Sequence, residues 1–248
     1  RSGVIELIDR NGKSVLTLTK EVGKVNAMQF SRDGSKLLVA SGVSGAYGTG
    51  LVFSANSGEL LLDLGGHRDV LYAAKFSPDG KFIATAGYDR RIVLWDSHTG
   101  EKLRSFEGHN GAIYDLAFSP DGKVLVSGCA DQTVKVWNVA TGQRLDTLSQ
   151  PEGEVLAVDV TFDGKFILAS SADSRLRVWT LKSTDSQQIN PILVTRFVDE
   201  SPLVKFRLTP GGRFLVVLTE VGNVKLIDTR SWDPVASLDA LTHGVSDL

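Results

Sequence analysis

The stretches KFSPDGKFIATAG at 75–87 and AFSPDGKVLVSGC at 117–129 decide how this chain folds. Each joins two short apolar runs through a turn of Ser, Pro, Asp and Gly. Three more divergent repeats have the same pattern: QFSRDGSKLLVAS at 29–41, DVTFDGKFILASS at 159–171 and FRLTPGGRFLVVL at 206–218. The residues before the turns, Phe30, Phe76, Phe118, Val160 and Leu208, are spaced by 46, 42, 42 and 48 positions. A recurring period of this length indicates one structural unit used repeatedly.

Each copy continues into a second apolar run. These runs are centred on Phe53, Trp95, Trp137, Trp179 and Ile227. Both kinds of run are short, rich in β-branched and aromatic residues and bounded by turn residues, which predicts strands rather than helices. In the first strand, the spacing of Leu71, Ala74 and Phe76 breaks strict alternation and predicts a β-bulge.

The combination of GH, FSPDG, a small-residue run, Asp and VWD or VWN in units of about 42 residues resembles the WD-repeat β-propeller family. The resemblance implies an all-β propeller with four-stranded antiparallel blades and the last strand of each unit outermost. We expect a single domain over 1–248 with repeats at about 21–64, 65–106, 107–148, 149–197 and 198–238. Residues 4–19 and 242–248 are expected to supply strands of a partial terminal blade. The closed propeller would then have six or seven blades, and the chain would be a segment of a longer protein.

Composition excludes several other classes of protein. The chain of 248 residues is 42% hydrophobic and has a formal charge of −2, which suits a folded domain and disfavours binding of nucleic acid or anionic membranes. It lacks an apolar run of the roughly 20 residues needed to span a bilayer, so no membrane insertion is expected. A single cysteine, Cys129, excludes an internal disulfide and a multi-cysteine zinc site, and its small-residue position favours burial over reactivity.

Two sets of polar residues recur at the same intervals, and the resemblance implies that they are structural hydrogen-bonded tetrads. The sets are His67, Thr85, Asp89, Trp95 and His109, Ser127, Asp131, Trp137. A His-Ser-Asp combination also suggests a hydrolase triad, but repetition at a fixed period, each time ending in tryptophan, favours the scaffold role. The fourth repeat keeps Asp173 and Trp179 with Pro151 at the histidine position, so its tetrad is partial.

The stretch SGVSGAYGTG at 41–50 has the glycine content of a phosphate-binding loop. A strand-like run, LVFSANSG, follows it instead of a helix, and no lysine lies between positions 41 and 62. We therefore predict a lengthened turn between the second and third strands of its unit.

The resemblance places this turn and the GH loops of neighbouring units on one rim of the propeller. Candidate partner-binding residues there are Tyr47, Arg68, Asp69, Tyr88, Arg90, Asn110 and Tyr114. Tyrosine and arginine often anchor interfaces. The alternative is that these residues line the rim without a ligand. The polar insertion at 181–192 should emerge on the opposite rim as a mobile linker.

The function indicated is a non-enzymatic scaffold that binds a protein partner, or another domain of its own chain, through the rim. The alternative is a propeller domain of a larger exported bacterial enzyme or signalling protein, a class that includes c-type haem proteins. No C-x-x-C-H motif is present. We expect no cofactor, metal, catalytic residue or nucleic-acid partner, and no small-molecule substrate is identified. The compartment stays open; only the resemblance points to a soluble protein of the bacterial envelope or periplasm.

Overall fold

The computed structural model of the chain describes residues 3–184 and 186–238. Within these two ranges every regular element is a β-strand. No helix in this part of the chain is long and apolar enough to cross a membrane. The strand predicted at 242–248 lies outside the described residues.

The chain divides into two compact units, Arg1–Ile113 and Tyr114–Leu248. In the first unit, a two-stranded sheet pairs β1 (Gly3–Ile8) with β2 (Ser14–Val22). Two four-stranded antiparallel sheets follow, with their strands in chain order. The first consists of β3 (Lys24–Phe30), β4 (Lys36–Val43), β5 (Tyr47–Ser54) and β6 (Leu60–His67). The second consists of β7 (Leu71–Phe76), β8 (Phe82–Gly87), β9 (Ile92–Asp96) and β10 (Lys102–Phe106).

The second unit contains three four-stranded antiparallel sheets, again with their strands in chain order. The first residue of β11, Ile113, belongs to the first unit. One is built from β11 (Ile113–Phe118), β12 (Val124–Cys129), β13 (Val134–Asn138) and β14 (Arg144–Leu148). The next is built from β15 (Val155–Val160), β16 (Phe166–Ser171), β17 (Arg175–Thr180) and β18 (Ile192–Phe197). The last is built from β19 (Leu203–Leu208), β20 (Phe214–Thr219), β21 (Val224–Asp228) and β22 (Asp233–Leu238). Meandering four-stranded sheets agree with the blade architecture that the family resemblance implies.

The SPDG turns between the first and second strands are closed by their own side chains. Ser77 Oγ donates to Asp79 Oδ1 at 2.6 Å, and the Lys81 amide donates to the same oxygen at 3.1 Å. Gly80 adopts φ +71°, a left-handed conformation that glycine enters without steric cost. In the corresponding turn of the first repeat, hydrogen bonds from two serine hydroxyls lower the pKa of Asp33 to about 2. The turn residues therefore specify where each hairpin reverses.

The β-bulge predicted in the first strand is confirmed. Leu71 pairs with Gly87 and Ala73 pairs with Ala86, so Tyr72 is the extra residue. The same shift of register occurs in β15 and in β19. The bulge keeps Leu71, Ala74 and Phe76 buried on the sheet despite their uneven spacing.

The sheets of each unit pack through apolar faces. In the first unit, one core joins β4, β5 and β6 to β7, β8 and β9. It includes Leu38, Val52, Leu64, Leu71, Ala74, Ile83 and Trp95. In the second unit, another joins the sheets that begin with β11 and β15. It includes Val126, Val136, Leu145, Val155, Val158, Ile167 and Trp179. Burying a side chain of this size contributes about 1.5–3 kcal/mol, so this packing dominates the stability of each unit.

The stretch 41–50 differs from the predicted lengthened turn, because most of it is strand. β4 extends to Val43 and β5 begins at Tyr47, and the short turn between them is closed by a 3.0 Å bond from the Ala46 amide to the Val43 carbonyl. The glycines permit this long hairpin. A Cβ on Gly48 would lie 2.1 Å from the backbone oxygen of Asp69, so only glycine fits there.

The insertion at 181–192 differs from the expected mobile linker, because Asn190 docks it onto β14. Asn190 is 3% exposed, and its backbone amide and its Nδ2 donate to Asp146 Oδ2 at 2.9 and 2.8 Å. Its Oδ1 accepts from the amides of Lys182 and Ser183 at 2.6 and 3.1 Å. The side chain of Asn190 thus satisfies two amides of the insertion that lie outside the strands.

Candidate functional site

The four polar residues predicted in the second repeat lie in one hydrogen-bonded series. His67 Nδ1 lies 3.0 Å from both carboxylate oxygens of Asp89, and its Nε2 lies 2.8 Å from Thr85 Oγ1. Trp95 Nε1 donates to the same hydroxyl at 2.8 Å. The end of β6, the middle of β8, the turn after β8 and β9 supply these residues in order.

Asp89 determines the tautomer of His67. Because the ionised carboxylate can only accept, the neutral ring of His67 carries its proton on Nδ1 and donates it to Asp89. Nε2 then accepts from the Thr85 hydroxyl, whose oxygen accepts from the Trp95 indole N–H. Burial raises the pKa of Asp89, but the bonds from His67 and from the Arg68 and Arg91 amides outweigh burial and leave the pKa lowered.

The arrangement does not suit a nucleophile. Thr85 is 0% exposed, and its hydroxyl oxygen lies between an indole and an imidazole. A substrate carbonyl would have to reach this oxygen inside a sheet core. The geometry instead satisfies buried polar groups, each of which would cost about 1–3 kcal/mol if left unpaired.

The second predicted set is divided between the two units, with His109 buried in the first. In the second unit, Trp137 Nε1 donates to Ser127 Oγ at 2.9 Å. Asp131 Oδ1 accepts from the Thr133 amide at 3.1 Å and from its hydroxyl at 2.6 Å. Cys129 is also buried, and its sulfur accepts from the Asp131 amide at 3.3 Å.

The fourth repeat uses two residues that sequence reasoning missed. Asp173 pairs with Arg177, whose Nη2 lies 2.7 Å from Asp173 Oδ2. Trp179 Nε1 donates to Gln150 Oε1 at 3.2 Å, because Ala169 stands where the second repeat has its threonine. The signals were present in the sequence: an arginine at a buried strand position, and a tryptophan whose usual hydroxyl acceptor was replaced by alanine.

Predicted rim residues of the first unit occur at the same ends of its two four-stranded sheets. We call Tyr47, Tyr88, Arg68 and Arg90 the arginine–tyrosine rim. Tyr47 begins β5 and is 44% exposed, and Tyr88 follows β8 and is 55% exposed. Two hydrogen bonds from backbone amides to aspartate side chains join these turns. The Gly45 amide donates to Asp69 Oδ1 at 2.9 Å, and the Arg68 amide donates to Asp89 Oδ2 at 3.1 Å.

Other predicted rim residues have different surroundings. Asn110 is exposed in the first unit, directly after His109. Tyr114 belongs to the second unit, where its hydroxyl donates to Glu154 Oε2 at 3.0 Å. Tyr72, which was not predicted, is the bulge residue of β7. Burial raises its pKa, and the nearby Asp69 and Tyr88 raise it further.

A family profile described as WD domain, G-beta repeat matches three consecutive stretches, 58–96, 100–138 and 142–180. Each match begins at the fourth strand of one sheet and continues through the first three strands of the next sheet in the chain. The recurring polar residues described above fall within or beside these stretches.

Similar proteins share shorter segments with the chain. Intraflagellar transport protein 122 homologs are 33% identical over 73 residues in Homo sapiens and 36% identical over 70 residues in Danio rerio. These segments cover 29% and 28% of this chain and 6% of each relative. COMPASS component SWD2 of Saccharomyces cerevisiae is 36% identical over 78 residues, 29% of this chain and 22% of that protein.

These relatives are eukaryotic, so they give no support to the bacterial origin that the repeat resemblance suggested. The chain spans a small part of their length. The three tandem profile matches and the meandering four-stranded sheets that carry them agree with the predicted fold. The chain contains three tandem WD repeats, and its all-β fold is consistent with a WD-repeat β-propeller.

Proposed function

We propose that the chain is a non-catalytic interaction scaffold and that the arginine–tyrosine rim binds a protein partner or another domain of its own polypeptide. The observation that carries the proposal is the exposure of two large aromatic side chains, Tyr47 and Tyr88, at neighbouring turns. Tyrosine and arginine dominate the energetics of many interfaces because they combine a large contact area with hydrogen-bonding groups.

Rigidity of the supporting turns favours this role. The Tyr88 amide donates to the Val70 carbonyl at 3.0 Å, and Gly48 pairs with His67 next to Tyr47. Side chains held on such turns lose less conformational entropy on binding than side chains on mobile loops. The relative whose name makes it a component of COMPASS is consistent with a role in assemblies.

An enzymatic role has less support. The titratable groups of the second repeat are held in structural hydrogen bonds, with Thr85 enclosed and Asp89 bonded to His67. The alternative of an exported bacterial enzyme or signalling protein has no observation in its favour among the relatives.

Affinity capture from a cell extract tests the proposal when three forms of the chain are compared. The Tyr47→Ala, Tyr88→Ala variant removes the exposed rings. The matched control is Leu61→Ala, Leu103→Ala, because these leucines are 43% and 42% exposed on the fourth strands of the same two sheets.

We expect wild type and the leucine control to retain the same proteins, and the tyrosine variant to retain at least about tenfold less of them, as for loss of a hot spot. Equal melting temperatures of the three forms exclude a folding defect. Equal retention by all three forms, or retention by none, would contradict the proposal.

A further inference from the structure

The carboxylates beside the arginine–tyrosine rim are occupied by internal donors. Asp69 Oδ1 accepts from the amides of Gly45 and Val70 at 2.9 and 2.8 Å. Asp89 accepts from His67 and from the Arg68 amide. These acids stabilise the turns that carry the rim, and much of their hydrogen-bonding capacity is used there.

The arginines of the rim are not used in this way. Over residues 3–184 and 186–238, the guanidinium groups of Arg68 and Arg90 make no hydrogen bond and no ion pair. Both residues are exposed. The acids next to them in the chain are engaged elsewhere: Asp69 accepts from the Gly45 and Val70 amides, and Asp89 bonds to His67. The rim thus presents two guanidinium groups that are available to a ligand. The planar N–H donors of each group match the geometry of a carboxylate.

Backbone geometry holds Arg90 in place. It adopts φ 66° in a turn closed by its own amide donating to the Gly87 carbonyl at 3.3 Å. A non-glycine residue in this region costs about 1–2 kcal/mol, so the turn would be more stable with glycine. Gln132 adopts φ 63° at the corresponding turn of the third repeat, which shows that a neutral side chain also fits this turn.

We infer that the arginine–tyrosine rim binds an acidic peptide segment of its partner. Carboxylates of the segment accept hydrogen bonds from Arg68 and Arg90, and an apolar side chain between them packs on the rings of Tyr47 and Tyr88. This inference rests on the proposed function and adds the chemistry of the partner. Complementary charge supplies the specificity, while the aromatic rings supply the buried area.

Selection from a random-peptide display library tests the inference, because such a selection requires no identified partner. The test variant, Arg68→Asn, Arg90→Gln, carries the residues that the third repeat has at the same positions, Asn110 and Gln132. The control variant, Arg32→Asn, Lys102→Gln, makes the same change of net charge near the opposite ends of the same two sheets.

We expect wild type and control to enrich peptides that are rich in Asp and Glu around one apolar residue. A fluorescent copy of the most enriched peptide should bind the arginine variant about tenfold more weakly than wild type, and binding to wild type should weaken as salt is added. Enriched peptides that depend on Tyr47 and Tyr88 but are not acidic would overturn this inference and leave the proposed function intact.

Enrichment that is the same with the Tyr47→Ala, Tyr88→Ala variant would overturn both proposals, because the rim would not be the binding surface. Tighter binding of single-stranded DNA than of the selected peptide through the same two arginines would also overturn the inference, since the anionic ligand would then be a nucleic acid.

Discussion

Arg177 and Asp173 form an ion pair at 2.7 Å in the one matched repeat where proline, Pro151, replaces the histidine. Their side chains are only 4% and 8% exposed. In the second repeat, the corresponding aspartate, Asp89, bonds to His67. The aspartate has therefore kept a buried cationic or polar partner, supplied by strand β17 instead of by a histidine at the end of the preceding strand, as β6 supplies in the second repeat.

The ion pair should show strong coupling between its two residues. Arg177→Val, which places the residue found at Val93 of the second repeat, leaves Asp173 buried without its charge partner and should cost about 3–5 kcal/mol. The double variant Arg177→Val, Asp173→Asn should recover most of that loss, because the uncompensated charge is gone. Urea unfolding of the four forms measures the coupling energy. Additive losses would contradict a tight pair.

Acid should weaken the protein through the same aspartate. Burial raises the pKa of Asp173, but hydrogen bonds from Arg177 and Ser171 outweigh it and lower the pKa to about 2. The ionised form is thus favoured in the folded state, so its stabilisation is complete above the ordinary value of 3.8 and is lost as the pH falls toward 2.

The loss attributable to Asp173 should be about 2 kcal/mol between pH 5 and pH 2. Free energies of unfolding at several pH values, for wild type and Asp173→Asn, measure it. The variant should start lower at neutral pH and fall less steeply in acid. Parallel pH profiles would show that Asp173 does not contribute.

The hydroxyl of Thr85 should be essential to the second repeat. Thr85→Val keeps the shape but leaves Trp95 Nε1 and His67 Nε2 without their partner. We expect a loss of at least about 2 kcal/mol, the cost of unpaired buried groups. Thr17→Val, on the exposed face of β2, is the matched control and should be close to neutral. Similar unfolding midpoints for both variants would show that the series is energetically unimportant.

The insertion should be released from β14 by Asn190→Ala. This change removes the side-chain bonds to Asp146 and to the amides of Lys182 and Ser183. Proteolysis within 182–191 should become faster, and stability should fall by about 1–3 kcal/mol. Gln188→Ala, an exposed position in the same segment, should leave the cleavage rate unchanged. Equal cleavage of wild type and Asn190→Ala would contradict docking by Asn190.

Two glycines of paired strands should differ sharply in their tolerance of alanine. A Cβ at Gly48 would lie 2.1 Å from the Asp69 carbonyl oxygen, whereas at Gly65 the nearest atom beyond the adjacent residues is Asp63 Oδ1 at 3.8 Å. Gly48→Ala should therefore destabilise the chain by more than about 2 kcal/mol, and Gly65→Ala should change it by less than about 1 kcal/mol. Thermal unfolding compares them, and a tolerated Gly48→Ala would show that the sheets can separate locally.

The sequence by itself determined the strands, their turns and the first-strand bulge. Each depends on neighbours in the chain: the SPDG turn closes through Ser77, Asp79 and the amides that follow, and the bulge follows from the spacing of Leu71, Ala74 and Phe76. Recurrence added what one copy lacks, because five similar runs at a nearly constant period indicate one repeated unit. That each unit has four strands was implied by the family resemblance.

Only the tertiary structure decided the features that join distant segments. Trp179 donates to Gln150, which lies 29 residues before it, and Asn190 is ordered by Asp146, which lies 44 residues away. The glycines of 41–50 suggest a loop in isolation, but the close approach of Gly48 to Asp69 makes them part of a long hairpin. Such pairings depend on which chain segments meet in three dimensions, and a local pattern of residues does not contain that information.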